Sequence, residues 1–172
     1  MSDPLVITAL GLVAAGVVGY LTLSKRRRSP LESRLEDALA AQLGPGLRTH
    51  LEDPITLASL EVVDSRDGDP VYVPVVSVPL GTTDAPGMNL VCEYVVAVLE
   101  VVVPALADEQ VRRYDVRFSV GPNGLIVSGE RRRVSVPPEL ATRVLEENTY
   151  RVYDLRRDLE AGEGGAVLWE EI

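Results

Sequence analysis

The stretch MNLVCEYVVAVLEVVVPALADEQ, residues 88–110, decides how the rest of the chain is organised. Asn89, Glu93 and Glu100 recur at helical intervals in an otherwise apolar run, which predicts a helix buried at the centre of a domain. Pro104 is expected to end or kink this helix. The many valines leave a strand as an alternative, and the length leaves a second membrane span as another. The two carboxylates disfavour a span, because charged groups in hydrocarbon are costly.

The chain before this helix predicts a β-hairpin. The runs ITLASLEVVD and PVYVPVVSVPLG are rich in β-branched residues and flank a turn at Asp67-Gly68. The second run contains Pro70, Pro74 and Pro79, which cannot donate a backbone hydrogen bond to a neighbouring strand. We therefore expect the second run to be an edge strand.

The chain after the helix predicts a second hairpin. The runs YDVRFSV and LIVSGERRRVSV alternate in polarity around the turn sequence Gly-Pro-Asn-Gly at 121–124. A turn there places Val120 opposite Leu125 and Phe118 opposite Val127. This pattern is the clearest local signal for strand pairing in the chain.

The remaining segments complete an α+β domain over residues 47–172. Pro137 and Pro138 begin a short helix, TYRVYDL is expected to form a strand, and AVLW a last strand. The predicted fold is α+β, with one N-terminal transmembrane helix followed by a small domain of antiparallel hairpins packed on one main apolar helix.

Residues 30–46 predict an amphipathic helix and a linker between the membrane and the domain. Pro30 suits the first position of a helix. An apolar stripe follows at intervals of four, formed by Leu31, Leu35, Leu39 and Leu43. The stripe is expected to pack on its own domain, with pairing to another copy or to a partner as the alternative.

Residues 5–23 contain no charge and are long enough to cross a bilayer as a transmembrane helix. A cleaved signal peptide would carry cations before its apolar run. Residues 1–4 carry none, and the cations come afterwards, in the flank 24–29: Lys25, Arg26, Arg27 and Arg28. Because cations mark the cytoplasmic side, the N-terminus is expected outside the cell membrane and the domain in the cytoplasm.

Gly11, Ala15 and Gly19 lie on one face of the predicted span. Small residues at this spacing let two transmembrane helices approach closely, so the face predicts a homo-oligomer. The alternative is that the small residues are incidental, since such residues are common in membrane helices.

The chain is acidic, with a formal net charge of -9, although its first 29 residues are basic. Membrane lipids are expected partners of the basic flank, whereas nucleic acid is not expected, because nucleic-acid affinity depends on neutralising phosphates. Arginine outnumbers lysine sixteen to one, which fits a GC-rich and salt-adapted source or codon bias alone.

Groupings that carry chemistry are few. His50 is the single histidine and is expected in a surface loop, and Cys92 is the single cysteine and is expected as an inert core thiol. Because the chain has one histidine and one cysteine, no metal site is expected, and because it has no glycine-rich phosphate loop, no cofactor is expected. Glu93 and Glu100 share a helix face, and with His50 they are the candidates for acid/base catalysis.

One basic feature stands out in the domain. The hairpin register predicted above places Arg132 opposite Arg113. The predicted strip for an anion or a partner comprises Arg113, Arg117, Arg131, Arg132 and Arg133. Such a strip can bind anionic lipid or an acidic protein, with ion pairing to the chain's own carboxylates as the alternative.

These features predict a single-pass membrane protein with a cytoplasmic interaction or scaffolding domain that binds a protein partner. An enzyme acting at the membrane surface through carboxylates or His50 is one alternative. A module that binds anionic lipid surfaces is the other.

Overall fold

The computed structural model of the chain describes residues 29–44, 51, 53–81, 85–121 and 130–172. The chain divides into two compact units, Met1–Pro30 and Leu31–Ile172, of which the first contributes only its last two residues to the described part. The predicted span at 5–23, its small-residue face and the basic flank at 25–28 lie outside the described residues. The second unit has the mixed α+β fold that the sequence predicts.

The described elements are four helices and six strands. The α-helices are α1 (Pro30–Leu43), α2 (Met88–Ala105), α3 (Pro138–Glu146) and α4 (Val152–Glu160), with a 3-10 turn at Glu163–Gly165. The strands are β1 (Thr56–Arg66), β2 (Asp69–Leu80), β3 (Gln110–Val111), β4 (Tyr114–Val120), β5 (Glu130–Val136) and β6 (Val167–Glu171).

The strands form one sheet in the order β1-β2-β4-β5-β6, with β3 beside the start of β2. The pairs β1–β2, β4–β5 and β5–β6 are antiparallel. The pair β2–β4 is parallel, so the chain crosses from one end of the sheet to the other through α2. The two hairpins therefore belong to a single sheet, and α2 is the connection that joins them.

The first hairpin confirms the predicted turn. Arg66 pairs with Asp69, leaving Asp67 and Gly68 as a two-residue turn. Both turn residues have positive φ, 56° and 94°. Two-residue hairpin turns favour Asp-Gly because this backbone conformation matches the twist of the strands.

The prediction that β2 lies at an edge is wrong, because β2 pairs on both sides and β1 is the edge strand. Each of the three prolines lies at a position where pairing with one of the neighbouring strands is absent. Pro70 precedes the β3 pairing, Pro74 lies between the β3 and β4 pairings, and Pro79 lies beyond the last β1 residue paired with β2. A missing N–H is least damaging at such positions.

The register predicted for the second hairpin is also wrong. Val120 pairs with Glu130 and Phe118 with Arg132, so β5 begins five residues later than expected. The predicted partners Leu125 and Val127 lie outside the described residues. The observed register is the one that brings Val134 and Val136, both 0% exposed, onto the apolar face of the sheet.

The helices cover one face of the sheet, and α2 is central to the core. Its inward residues are buried: Val91, Cys92, Tyr94, Val95, Ala97, Val98, Leu99, Val101 and Val102. They share a cluster with Val76, Val116, Phe118 and Val134 of the sheet. The helix ends at Ala105, directly after Pro104, as predicted.

The stripe of α1 lies in the same core. Leu35, Leu39 and Leu43 are buried and belong to the cluster that α2 forms with the sheet. The Arg34 guanidinium donates a hydrogen bond to the Ala105 carbonyl, one of the groups that a helix leaves unpaired at its C-terminal end. The apolar face of α1 therefore packs on its own domain.

Residues 149–155 do not form the expected strand, and 152–155 form the start of α4 instead. The Asp154 carboxylate accepts a hydrogen bond from the Arg151 backbone N–H at 2.9 Å, which satisfies a donor at the start of the helix. Leu155 and Leu159 are buried one turn apart, which is helical spacing. The expected last strand is present as β6, where Trp169 packs on Phe118 with ring centroids 5.4 Å apart.

Candidate functional site

The sheet gathers most of the predicted arginine strip on its second face, opposite the helix layer. Arg117 pairs with Arg133 and Ser119 with Arg131, so these positions share a face with Asp115. We call this surface the charged face and define it by Glu61, Arg113, Asp115, Arg117, Arg131, Arg133, Ser135 and Glu170.

Arg132 does not belong to the charged face. It lies opposite Phe118, on the side of the sheet that bears the helices, and not opposite Arg113 as the sequence predicted. Its guanidinium forms ion pairs with Glu130 and Glu171. The five-residue change in register explains the error, because each one-residue shift moves a side chain to the other face.

Asp115 is the centre of the charged face and is only 2% exposed. Its carboxylate accepts hydrogen bonds from Arg113 Nε at 2.9 Å and from Ser135 Oγ at 2.7 Å. Arg133 Nη1 lies 3.8 Å from its other oxygen. A buried carboxylate is stable only with such partners, so these contacts hold β4 and β5 in register as well as balancing charge.

The rim of the charged face is more exposed and less tightly paired. Arg117 Nη2 lies 3.7 Å from Glu61, and both side chains are about two-fifths or more exposed. Arg133 pairs with Glu170. Arg131 is exposed and forms no ion pair with any described residue. Ion pairing with the chain's own carboxylates therefore accounts for Arg113, Arg117 and Arg133, but not for Arg131.

Two donors on the charged face lack acceptors. The Nε atoms of Arg117 and Arg133 are buried without a hydrogen-bond partner. Buried polar groups are nearly always paired in native structures, and unpaired ones commonly mark a position that another molecule or water completes. Both Nε atoms are buried, so a second molecule would reach them only after the two side chains move.

The structure describes two of the three candidate residues for acid/base catalysis, and these two do not converge. Glu93 and Glu100 are exposed on α2, and their seven-residue separation corresponds to roughly 10 Å along the helix axis. His50 lies outside the described residues. Among the residues that the structure describes, no three histidine, cysteine, aspartate or glutamate side chains form a group that could hold a metal ion.

Cys92 is buried in the core, on the inward side of α2. Burial raises the pKa of its thiol to about 11, although the nearby Arg156 charge opposes this shift. Since the thiolate is the reactive form, this cysteine is inert at neutral pH, as predicted.

A second ionic cluster joins α3, α4 and the 3-10 turn. Asp158 is 5% exposed and accepts hydrogen bonds from Tyr150 at 2.9 Å and from Arg143 at 3.1 Å. Arg157 Nε donates a third, at 3.0 Å. Burial by itself would raise the pKa of the Asp158 carboxyl, but these hydrogen bonds and the two arginine charges outweigh it and lower the pKa below 3.8.

Asp158→Asn is expected to reduce the free energy of unfolding at pH 7 by about 2 kcal/mol, because it removes hydrogen bonds to a charged group. A carboxyl whose pKa is lower in the folded state stabilises the protein when the pH is above its unfolded-state pKa. This stabilisation is lost as the pH falls towards the folded-state pKa. Urea unfolding between pH 7 and pH 2 should show that the difference in unfolding free energy between parent and variant becomes smaller once the pH is below 3.8, the ordinary pKa of the carboxyl. A deficit that stays constant across this range would contradict a charged Asp158.

Sequence reasoning missed the two residues that organise the charged face. Asp115 and Ser135 sit in strands of alternating polarity, where a polar residue on the non-core face is ordinary. The available signal was the spacing: Asp115 lies between Arg113 and Arg117, each two residues away and therefore on the same face of the strand.

Comparisons with protein-family models, with curated proteins and with solved structures found no match to this chain. One described helix, α2, is long and apolar enough to cross a membrane, judged by length and composition alone. The class of protein that fold and site define is a mixed α+β domain with a charged sheet face.

Proposed function

We propose that the chain is a single-pass membrane protein whose C-terminal domain is a cytoplasmic interaction module. The observation that supports the interaction module is the set of arginines on the charged face. Among the described residues, Arg131 has no ion-pair partner there, and two buried Nε atoms have no hydrogen-bond partner. The anchor part rests on the uncharged residues 5–23 and on the cations that follow them.

The anchor and the domain lie close together in the chain. The basic flank ends at residue 29 and α1 begins at Pro30. A domain tethered by so short a linker stays near the membrane surface and meets partners there at a high effective concentration. Self-association of the transmembrane helix through Gly11, Ala15 and Gly19 would bring two or more copies of the domain together at the membrane.

The partner that fits the charged face is a protein segment with exposed carboxylates. Arginine guanidiniums bind carboxylates with paired hydrogen bonds, and the exposed Arg131 guanidinium, which has no ion pair with a described residue, suits this kind of acceptor. The face also contains Glu61 and Glu170, which disfavour an extended anionic surface but leave room for single carboxylates. Anionic lipid headgroups are the second candidate, which the exposed Arg131 supports.

The anchor is tested by membrane extraction and topology mapping of the full chain. We expect the protein to remain in the membrane pellet after alkaline carbonate extraction, and a C-terminal tag to be protected from protease in intact cells. Deleting residues 5–23 should release it. Extraction of the full chain by carbonate, or cleavage of the tag outside the cell, would contradict the proposal.

The charged face is tested by proximity labelling from the full chain, against an anchor-only control. Arg117→Gln with Arg131→Gln should remove acidic proteins from the labelled set, whereas Arg151→Gln with Arg156→Gln removes the same charge at α4, outside the charged face, and should leave them. Hydrogen exchange in nanodiscs separates the lipid candidate, because protection of β5 only with phosphatidylserine indicates headgroup binding. Identical labelling by both double variants and the parent would argue against the charged face as the interface.

A further inference from the structure

A cleft of about 390 Å³ lies where the first residues of β2 and β3 meet the start of α3. It is separate from the positions that define the charged face. Its lining residues are Arg66, Val71, Gln110, Val111, Arg112, Pro137, Pro138, Glu139 and Gly164. The cleft is large enough for a small metabolite of the size of an amino acid or a dipeptide.

Cations line the strand side of the cleft. Arg66 ends β1, and Arg112 follows β3, where its backbone N–H donates to the Tyr72 carbonyl at 2.8 Å. Both side chains belong to exposed residues, and neither forms an ion pair with a described residue. In a chain whose other sheet arginines are mostly paired with carboxylates, two such guanidiniums in one cleft are available to a ligand anion.

An anion lines the helix side of the cleft. Glu139 lies in the first turn of α3, and its Oε2 is 4.0 Å from the place where a side chain on Gly164 would begin. Gly164 has a φ of 63°, and a Cβ there would come within 3.2 Å of Pro137. Glycine therefore keeps this wall open beside the Glu139 carboxylate.

The smaller part of the cleft lining is apolar. Val71 is 2% exposed and Pro137 is buried, with Val111 and Pro138 beside them. The start of α3 offers little to an anion, because Pro137 and Pro138 have no backbone N–H. Charge recognition in the cleft is left to the side chains of Arg66, Arg112 and Glu139.

We propose that this cleft binds a zwitterionic α-amino acid or a short peptide end with an apolar side chain. The ligand carboxylate pairs with Arg66 and Arg112, its ammonium pairs with Glu139, and its side chain rests on the valines and prolines. A simple anion would leave Glu139 unpaired and repelled, whereas a zwitterion matches both walls. The inference is independent of the proposed interaction at the charged face.

Three probes of similar shape separate the parts of this recognition. Leucine carries both charges, 4-methylpentanoate only the carboxylate, and leucinamide only the ammonium. Isothermal titration of the full chain in detergent should rank their affinities in that order, with leucine at least roughly tenfold tighter than leucinamide, as expected for hydrogen bonds between charged groups.

Variants then assign each charge. Arg66→Gln with Arg112→Gln should weaken leucine and 4-methylpentanoate by about tenfold or more, whereas Arg131→Gln, on the charged face, should change neither. Glu139→Gln should remove only the preference for leucine over 4-methylpentanoate. Near-ultraviolet circular dichroism of each variant verifies folding. No binding of leucine to the folded parent chain, or equal binding by parent and double variant, overturns the proposal.

Discussion

Val98→Asp is expected to unfold the domain. Val98 is 1% exposed and lies in the middle of α2, inside the cluster that joins the helices to the sheet. An aspartate there would be a buried charge without a partner, a change that costs more than about 4 kcal/mol. Because small domains are stable by only about 5–15 kcal/mol, most of the population should lose its tertiary packing.

The measurement is near-ultraviolet circular dichroism together with urea unfolding of the full chain in detergent. Asn89→Asp is the matched control, since it adds the same charge to the same helix at an exposed position in the first turn. The control should leave the urea concentration at the unfolding midpoint unchanged or raise it slightly, because a negative charge near a helix N-terminus is stabilising. A cooperative, parent-like transition for Val98→Asp would show that α2 is not the centre of the core.

Asp115→Asn is expected to lower the free energy of unfolding by about 3 kcal/mol, because removing one member of a buried ion pair leaves its partners uncompensated. The asparagine keeps the shape of the side chain and can still accept from Ser135. It removes the charge that Arg113 and Arg133 share. Both arginine side chains retain some solvent exposure, 40% and 24%. The expected loss of unfolding free energy is therefore at the lower end of the range of about 3–5 kcal/mol for breaking a buried ion pair.

Glu61→Gln is the control on the same face. Its side chain is 46% exposed and its carboxylate lies 3.7 Å from Arg117, so loss of the charge should cost no more than about 1 kcal/mol. Urea unfolding measures both variants. Equal losses would mean that Asp115 behaves as a surface residue, and the account of the charged face as an organised cluster would fail.

The outcome for the arginines shows how far sequence reasoning reaches towards a site. Alternation along a strand assigned Arg131 and Arg133 to one side and Arg132 to the other, and the structure has this division. Which side faces the helices depended on the register of β4 with β5. The predicted turn at 121–124 gave a register five residues away from the observed one, so Arg132 was placed with the wrong neighbours.

The cleft illustrates the same limit at longer range. Arg66, Arg112 and Glu139 are distant in the chain, and nothing in their local sequence relates them. They share a cleft because β3 aligns beside β2 and because α3 begins where β5 ends. Contacts between such separated segments depend on the global arrangement of the sheet, which no local pattern encodes.

The sequence by itself determined the local structure: the turn at Asp67-Gly68, the long helix that ends directly after Pro104, the helix after Pro137 and the α+β class. These depend on backbone preferences and periodicity over a few residues, which each segment carries within itself. Only the tertiary structure decided that the proline-rich β2 is central and that Arg113, Arg117, Arg131 and Arg133 share one face of the sheet with Asp115. The reason is that strand order and register depend on the free energy of the whole core, and not on that of a single hairpin. In that core Val134 and Val136 must pack against the helices.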